Sequence, residues 1–474
     1  MVGSGGLAVL GASGFVQAHA FALPTTLKYG LTVAGPLVIF FAASIARPLL
    51  LITGLTVICA PFANATAQFA GIRVSPLVPL LLLGFALIAV SDPPRNRAPW
   101  LRWTSLLAFP LLLLPLEQGS HNHQFVASLG LLIGVACMVS YAAADKDGLR
   151  VVLAAVAIQA AIQGAIAIWE ARSGHTLNLY SSGTAGQPAG QQIYTYGTSH
   201  QPTGSLNDPI SLGNVLALSI PLIAVLMIAV KSATSRLLLI GALALAGAAL
   251  ALSLDRAGWI GAAVGLVAAI ALLPRVSRRK AIPYAVLGLV VVVVAALVLE
   301  GPTIASRFSS IFDPTSTQGK TAQEKGSAAG EQTRLQLWSV AFNDGFLKHP
   351  VAGIGIDNMG QLEREHTSNA GAAVKAQTAI YQDAASTYLQ LIGDGGLFAL
   401  ALLVLLLSGL IGDARAAVKA HPVLGAGLAG GVIAILICWG TDVVVFYEPV
   451  AACVGVLFGA LAAAARSIES PGRA

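Results

Sequence analysis

The 474-residue chain is short of charge: Asp, Glu, Lys and Arg make up 10% of it, against 56% hydrophobic residues. A soluble domain carries about 25% charge, so a water-soluble globule is excluded and an integral membrane protein is expected. Cysteine is scarce as well. Cys59, Cys137, Cys438 and Cys453 all fall inside apolar stretches. That excludes a disulfide framework and zinc-ligand spacing, and the four read as small apolar side chains. No basic segment precedes the first apolar run, which is therefore read as a span and not as a cleaved leader. There is no short-period repeat and no inverted repeat, which counts against a transporter built from two related halves. Gly353-Ile-Gly355 does not make a nucleotide loop, because no strand pattern precedes it and the third glycine is misplaced at Gly360.

What the chain has in quantity is long apolar runs rich in Ala, Leu, Val and Gly. A helix crosses a bilayer in about 20 residues, and on that measure the sequence predicts about fourteen spans. They lie near 5–22, 29–46, 48–66, 74–91, 101–116, 125–144, 149–169, 209–230, 236–254, 257–273, 282–299, 385–411, 423–445 and 449–465. The expected fold is an all-α polytopic membrane protein with a large, partly helical loop on one side. It divides into N-terminal spans (1–169), a loop (170–208), central spans (209–299), a larger loop (300–384) and C-terminal spans with a tail (385–474).

Positive charge orients the bundle. One set of connections carries Arg47, Arg95, Arg97, Arg102, Lys146, Arg150, Lys231, Arg236, Arg275, Arg278, Arg279, Lys280, Arg415 and Lys419, with Arg466 and Arg473 in the tail. That side is expected to be cytoplasmic, with both termini on it. The net charge of +6 is then a topology signal and gives no ground for nucleic acid binding. The opposite side holds both long loops, and its short turns carry only Lys28, Arg73 and Arg256. Arginine there runs against the insertion bias. Each one either snorkels to lipid headgroups or has a specific use.

Within the spans, Gln159 and Gln163 stand four apart and share one helix face, expected to seal against another helix rather than to line a path. Asn207-Asp208-Pro209 reads as a helix start, with Asp208 as cap and Pro209 just inside. In the turn Asp255-Arg256 the two side chains either form a local ion pair or offer a guanidinium to an anion, since arginine's planar fork matches phosphate oxygens. Leu335, Trp338, Ala341 and Phe342 recur at helical spacing and predict an amphipathic helix over 333–347, lying against the membrane or the bundle. Arg334 begins that helix, so packing does not explain it. Asp442 ends a later span on the outer side, where a carboxylate is expensive unless it is functional or paired with an arginine.

Taken in order, these features resemble the O-antigen ligase and polysaccharide polymerase superfamily, which shares a Wzy-type C-terminal domain. The resemblance runs from Gly204-x-x-Asn207-Asp208-Pro209 through Asp255-Arg256, where the family usually has Ser-Arg. It continues with Arg334-x-x-x-Trp338-x-x-Ala341 and Pro350-x-x-Gly353-x-Gly355. It closes on Tyr388-Leu389-Gln390 and Gly393-x-Gly395-Gly396-Leu397. Arg334 and Gly345 also match an Arg-x-ten-Gly pattern of the polymerases. The family's ligases usually carry His-Asn just before Tyr-Leu; here Ala385 and Ser386 stand there, so the usual histidine is missing.

The resemblance implies a GT-C-like membrane glycosyltransferase in the bacterial inner membrane, active on its periplasmic side and needing no metal or other cofactor. It implies inverting transfer of a glycan from an undecaprenyl diphosphate carrier to a glycan or lipid acceptor, beside a flippase and a chain-length regulator. Arg256 and Arg334, with Arg73 or Arg172 nearby, are expected to grip the diphosphate. Asp383, with Asp442 in reserve, is the expected base; Asp383 alternatively only caps a helix. Trp338, Gly353, Gly355 and Tyr388 are expected to shape the loop. Polymerase is the first reading and ligase the second. A lipid-linked oligosaccharide flippase is the reading from another class, and it is disfavoured because the spans are nearly free of charge.

Overall fold

The computed structural model describes residues 47–63, 67–69, 72–90, 122–177, 194–196, 199–206, 208–279, 282–283, 334–355, 358–359, 362, 384–443 and 447–466. The described chain is largely helical. In order it forms α1 (Pro48–Cys59), a hairpin of β1 (Ala67–Phe69) and β2 (Ile72–Val74), α2 (Leu77–Val90), α3 (Asn122–Ala142) and α4 (Lys146–Ser173). A second hairpin, β3 (Tyr194–Tyr196) and β4 (Ser199–Gln201), leads to α5 (Pro209–Ala229), α6 (Ala233–Leu252) and α7 (Arg256–Leu272). Then come α8 (334–346), whose last part Val340–Phe346 winds as a π-helix, α9 (Thr387–Ala420), α10 (Pro422–Cys438) and α11 (Glu448–Arg466). Both hairpins are two-stranded and antiparallel, with Gln68 opposite Arg73 and Thr195 opposite His200.

Among the described residues, α4, α5, α6, α9 and α11 are long and apolar enough to cross a bilayer, and α1, α2, α3, α7 and α10 are shorter apolar helices. The expected spans near 5–22, 29–46 and 101–116, and nearly all of 282–299, lie outside the described residues. Several of the described helices begin on a side-chain cap. Asp145 caps α4, Asp208 caps α5 with Pro209 behind it, Ser232 caps α6 and Asp255 caps α7. Each cap satisfies a backbone N–H that the first turn leaves open.

Helix contacts depend on small residues, which let backbones approach where lipid supplies no hydrophobic drive. A side chain at Gly261 or Gly265 of α7 would run into the α10 backbone at Ala434 or Gly430, and one at Gly455 or Gly459 of α11 would strike α3 at Leu132 or Ala136. Gln159 donates to Cys453 Sγ on α11, at 3.2 Å. Gln163 exchanges bonds with Ser205, accepting from its N–H (2.9 Å) and donating to its hydroxyl (2.7 Å). Gln159 therefore seals α4 against α11 as expected, whereas Gln163 ties α4 to the non-helical segment before α5. Glu170, at the end of α4, accepts from the N–H groups of Thr203 and Gly204 (2.8 and 2.7 Å). The segment that leads into α5 is thereby pinned to the bundle.

Two helix boundaries depart from expectation. The span expected near 385–411 runs on to Ala420 and is broken at Gly396 (φ 58, ψ −142). The span expected to reach 445 stops at Cys438, and a turn carries Asp442 beyond the helix end. The helix over 334–346 is present, and the stripe that packs on the bundle shares Ala341 with the expected face. Leu335 and Phe342 are exposed, while Leu337, Ala341 and Gly345 are buried. The stripe that packs is the one reading i, i+4, i+8.

Candidate active site

Alternation of the helices carries the starts of α5, α7, α9 and α11 and the end of α10 to one end of the bundle. Asp208, Asp255, Arg256 and Asp442 are gathered there with Arg334. The first feature of the site is a break. At Gly396 the backbone leaves helical geometry, and the turn Pro350–Gly355 fits into the break. Leu397 N–H donates to Pro350 O (2.7 Å), Ile354 N–H to Gly393 O (3.0 Å) and Gly355 N–H to Asp394 O (2.9 Å). Gly353 (φ 70) lies so close to Asp394 and Gly395 that a side chain there would overlap their backbone. The Gly353/Gly355 and Gly393–Leu397 motifs are thus two halves of one joint.

The second feature is a strained approach to α9. Ala385 has φ 48 and is buried, and its carbonyl accepts from Trp338 Nε1 on α8 (3.2 Å). Thr387, which starts α9, donates its N–H (3.0 Å) and its hydroxyl (2.6 Å) to Asp442 O. Tyr388 donates to Leu436 O on α10 (2.7 Å) and meets Trp439 edge-on, ring centres 6.3 Å apart. Leu254, at φ 55 just before Asp255, is a second non-glycine residue held at positive φ. Such strain costs about 1–3 kcal/mol per residue and collects at functional sites.

These supports position the charges. Asp442 is nearly sealed, its side chain 2% exposed, and one oxygen faces Arg334, whose whole side chain is 22% exposed, at 3.8 Å. Its other oxygen accepts from Asn214 Nδ2 (3.1 Å), on α5. Burial pushes the Asp442 carboxyl up to about 6; Arg334, the Asn214 bond and Arg256 pull it down, and Asp208 pushes it up. Asp255 is also raised, by burial and then by the Asp442 charge, against Arg334. Its carboxylate accepts from the N–H of Ala257 (3.1 Å) and Gly258 (3.0 Å). In the Asp255-Arg256 turn, then, the aspartate caps α7. Asp208 accepts from Ser211 N–H (2.8 Å) and hydroxyl (2.6 Å), and burial raises it too.

Of the residues expected from sequence, Arg334 and Asp442 meet directly, and Arg256 is near enough to act on Asp442. Arg172 is exposed in the last turn of α4. Arg73 lies in β2, opposite Gln68. Asp383 lies outside the described residues. Among the described residues no cluster of His, Cys, Asp or Glu has the arrangement to hold a metal ion. Sequence reading passed over Asn214, although a lone amide inside an apolar span is the same signal that marked Gln159 and Gln163.

Chemically, the site offers two guanidinium groups to an anion, backed by carboxylates in low-dielectric surroundings. Residues 240–404 match the family model for O-antigen ligase. The match begins in α6, includes Arg256, Arg334 and the Gly353–Gly396 joint, and ends within α9, before Asp442. No curated protein matches the chain.

Proposed function

We propose that the protein is an inverting, metal-independent glycosyltransferase that polymerises undecaprenyl-diphosphate-linked repeat units into exopolysaccharide or O-antigen on the periplasmic side of the inner membrane. The observation that carries this reading is the Arg334–Asp442 pair, with Arg256 beside it, at one end of an apolar bundle. A lipid-linked donor keeps its tail in the bilayer, so its diphosphate sits at this depth. Arg334 is the more accessible partner, and arginine matches phosphate oxygens two at a time.

In this reading the acceptor hydroxyl attacks the anomeric carbon from the face opposite the diphosphate. The new C–O bond forms as the sugar–phosphate bond breaks, and the diphosphate stays on its lipid. Arg256 and Arg334 stabilise the charge that grows on the leaving group. The acceptor proton passes to a carboxylate, either Asp442 or Asp383. Asp442 suits the task because its pKa lies close to neutrality, where a general base works best. A diphosphate that engages Arg334 also loosens the 3.8 Å pair and leaves Asp442 more basic. The arm Trp338–Gly355, tied to α9 through the Ala385 carbonyl and the Gly396 joint, fixes the reach of Arg334.

The family description favours a second reading, transfer of a finished chain to lipid A core. Purified protein in nanodiscs, given lipid-linked repeat units alone, separates the two. A ladder of lengthening chains supports polymerisation. Transfer only after lipid A core is added, with no ladder, supports the ligase; no transfer to any acceptor removes both. In the same assay Asp383→Asn tests that residue, since asparagine caps about as well as aspartate but accepts no proton.

A further inference from the structure

Asn214 is completely buried on α5, between the start of that helix and the turn that carries Asp442. Its two amide hydrogens are both committed, to Ile210 O (2.9 Å) and to Asp442 Oδ2 (3.1 Å). Its Oδ1 has no hydrogen-bond partner among the described residues. A buried carbonyl left unsatisfied costs about 1–3 kcal/mol, and an apolar residue would avoid that cost. The opposite amide orientation would turn Oδ1 onto the carboxylate, acceptor against acceptor. The Ile210 carbonyl fixes which end of the amide faces Asp442, so Asn214 presents a donor, which stabilises the ionised carboxylate more than the protonated form.

We propose that Asn214 is a positioning residue that keeps the Asp442 carboxylate ionised and oriented while Arg334 is engaged by the donor diphosphate. The proposal rests on the reading of Asp442 as the base. The groups facing Asp442 divide into two sets. Arg334 from α8 and Arg256 from the start of α7 favour its charge; Asp208 at the start of α5 and Asp255 before α7 oppose it, and the Cys438 thiol lies at the end of α10. When Arg334 turns to the diphosphate, a large share of the favourable field leaves with it. The Asn214 amide is uncharged and has no affinity for the donor, so it stays.

Asn214→Leu keeps the volume and removes the donor. The acidic limb of the transfer rate at subsaturating donor should move up by about one pH unit, a tenfold loss below the limb with recovery above it, because hydrogen bonds to the charged form are what hold a carboxyl pKa down. The infrared band of the protonated Asp442 carboxyl, assigned by its disappearance in Asp442→Asn, should titrate at correspondingly higher pH, with no need for turnover. If Asn214→Leu does not fold, Asn214→Ser, whose hydroxyl falls short of Asp442, should give the same upward shift. A loss equal at every pH, or an unmoved infrared titration, overturns the proposal. An acidic limb that survives in Asp442→Asn overturns instead the reading of Asp442 as the base, so the two failures are distinguishable.

Discussion

The two ends of this bundle use arginine in opposite ways. At the end where α1 and α4 begin, Arg47 pairs with Asp145 at 3.1 Å with both side chains more than half exposed. Arg150 pairs with Asp147 at 3.4 Å. Arg236, Arg278 and Arg466 donate to carbonyls at helix ends: Val230 O (3.2 Å), Leu273 O (3.2 Å) and Ser140 O (2.8 Å). Cations there complement the helix dipoles and hold the orientation in the membrane. At the other end Arg334 faces a sealed carboxylate, and Arg256 begins a helix beside it. Charge on the first end can be lost to solvent screening at little cost. Charge on the second is kept in low dielectric, where breaking a pair is expensive. What separates the ion pairs at the two ends is the burial of the carboxylate.

The sharpest way to test that contrast is Asp442→Asn. If Asp442 is the base, turnover should fall by about 10²–10⁴-fold, with protein level and donor binding intact. The pH profile gives the sign. A base must be ionised to accept a proton, and burial holds Asp442 at about 6, so the wild-type rate should fall as pH drops through that value. A wild-type profile in the variant would place the chemistry elsewhere, with Asp383 next in line.

Arg334→Lys and Arg256→Lys come next. Each keeps its charge and loses the planar fork, and each should cost about 10²-fold in transfer rate, near the lower bound for removing a preorganised donor. Arg278→Lys and Arg466→Lys, on the opposite end, should transfer at the wild-type rate. Equal effects at both ends would reduce Arg334 and Arg256 to topology signals.

Glycine on α9 repeats the contrast within one helix. Gly396 sits at φ 58, where a side chain would overlap the backbone of Pro350 and Val351, whereas Gly409 and Gly412 have open space around them. Gly396→Ala should cost on the order of 1–3 kcal/mol and lower the thermal unfolding midpoint. Gly409→Ala and Gly412→Ala should leave the midpoint unchanged or raise it, since alanine is the better helix former. A stable Gly396→Ala would mean that the joint with the 350–355 turn gives way easily.

Sequence carried the fold further than it carried the site. The spans were legible because bilayer thickness imposes a length and a cap marks a start, as at Asp208-Pro209; that Asp255 also caps a helix emerged only from the structure. The break at Gly396 was not, because an apolar run looks the same whether its helix is continuous or interrupted, and only the docking of Gly353 and Gly355 demands the interruption. Arg256 and Arg334 were visible because positive charge on the sparsely charged side calls for a reason. That Asp442 wants an arginine followed from its cost at that depth; that the arginine is Arg334, 108 positions earlier, is tertiary information. The packed stripe of α8 has a similar cause: its π-wound second half departs from the phase that a 3.6-residue count assumes, and Leu337, Ala341 and Gly345 line up four apart.

The smallest expected effect is at the Arg47–Asp145 pair, and it is the one that can break the comparison from the other side. Asp145 has two jobs: it pairs with Arg47 and it caps α4, accepting from Gly148 N–H at 2.5 Å. Asp145→Ala would remove both and confuse them. Asp145→Asn keeps a capping oxygen and removes the charge, so with Arg47→Gln it completes a double-mutant cycle on the ion pair alone. Exposed pairs couple by about 0.2–1 kcal/mol, and the coupling should shrink as salt is raised. Glycan transfer should be unchanged in all three variants once the amount of inserted protein is matched. A coupling that persists in high salt, or a loss of transfer per inserted molecule, would show that this end also holds its charges for the reaction.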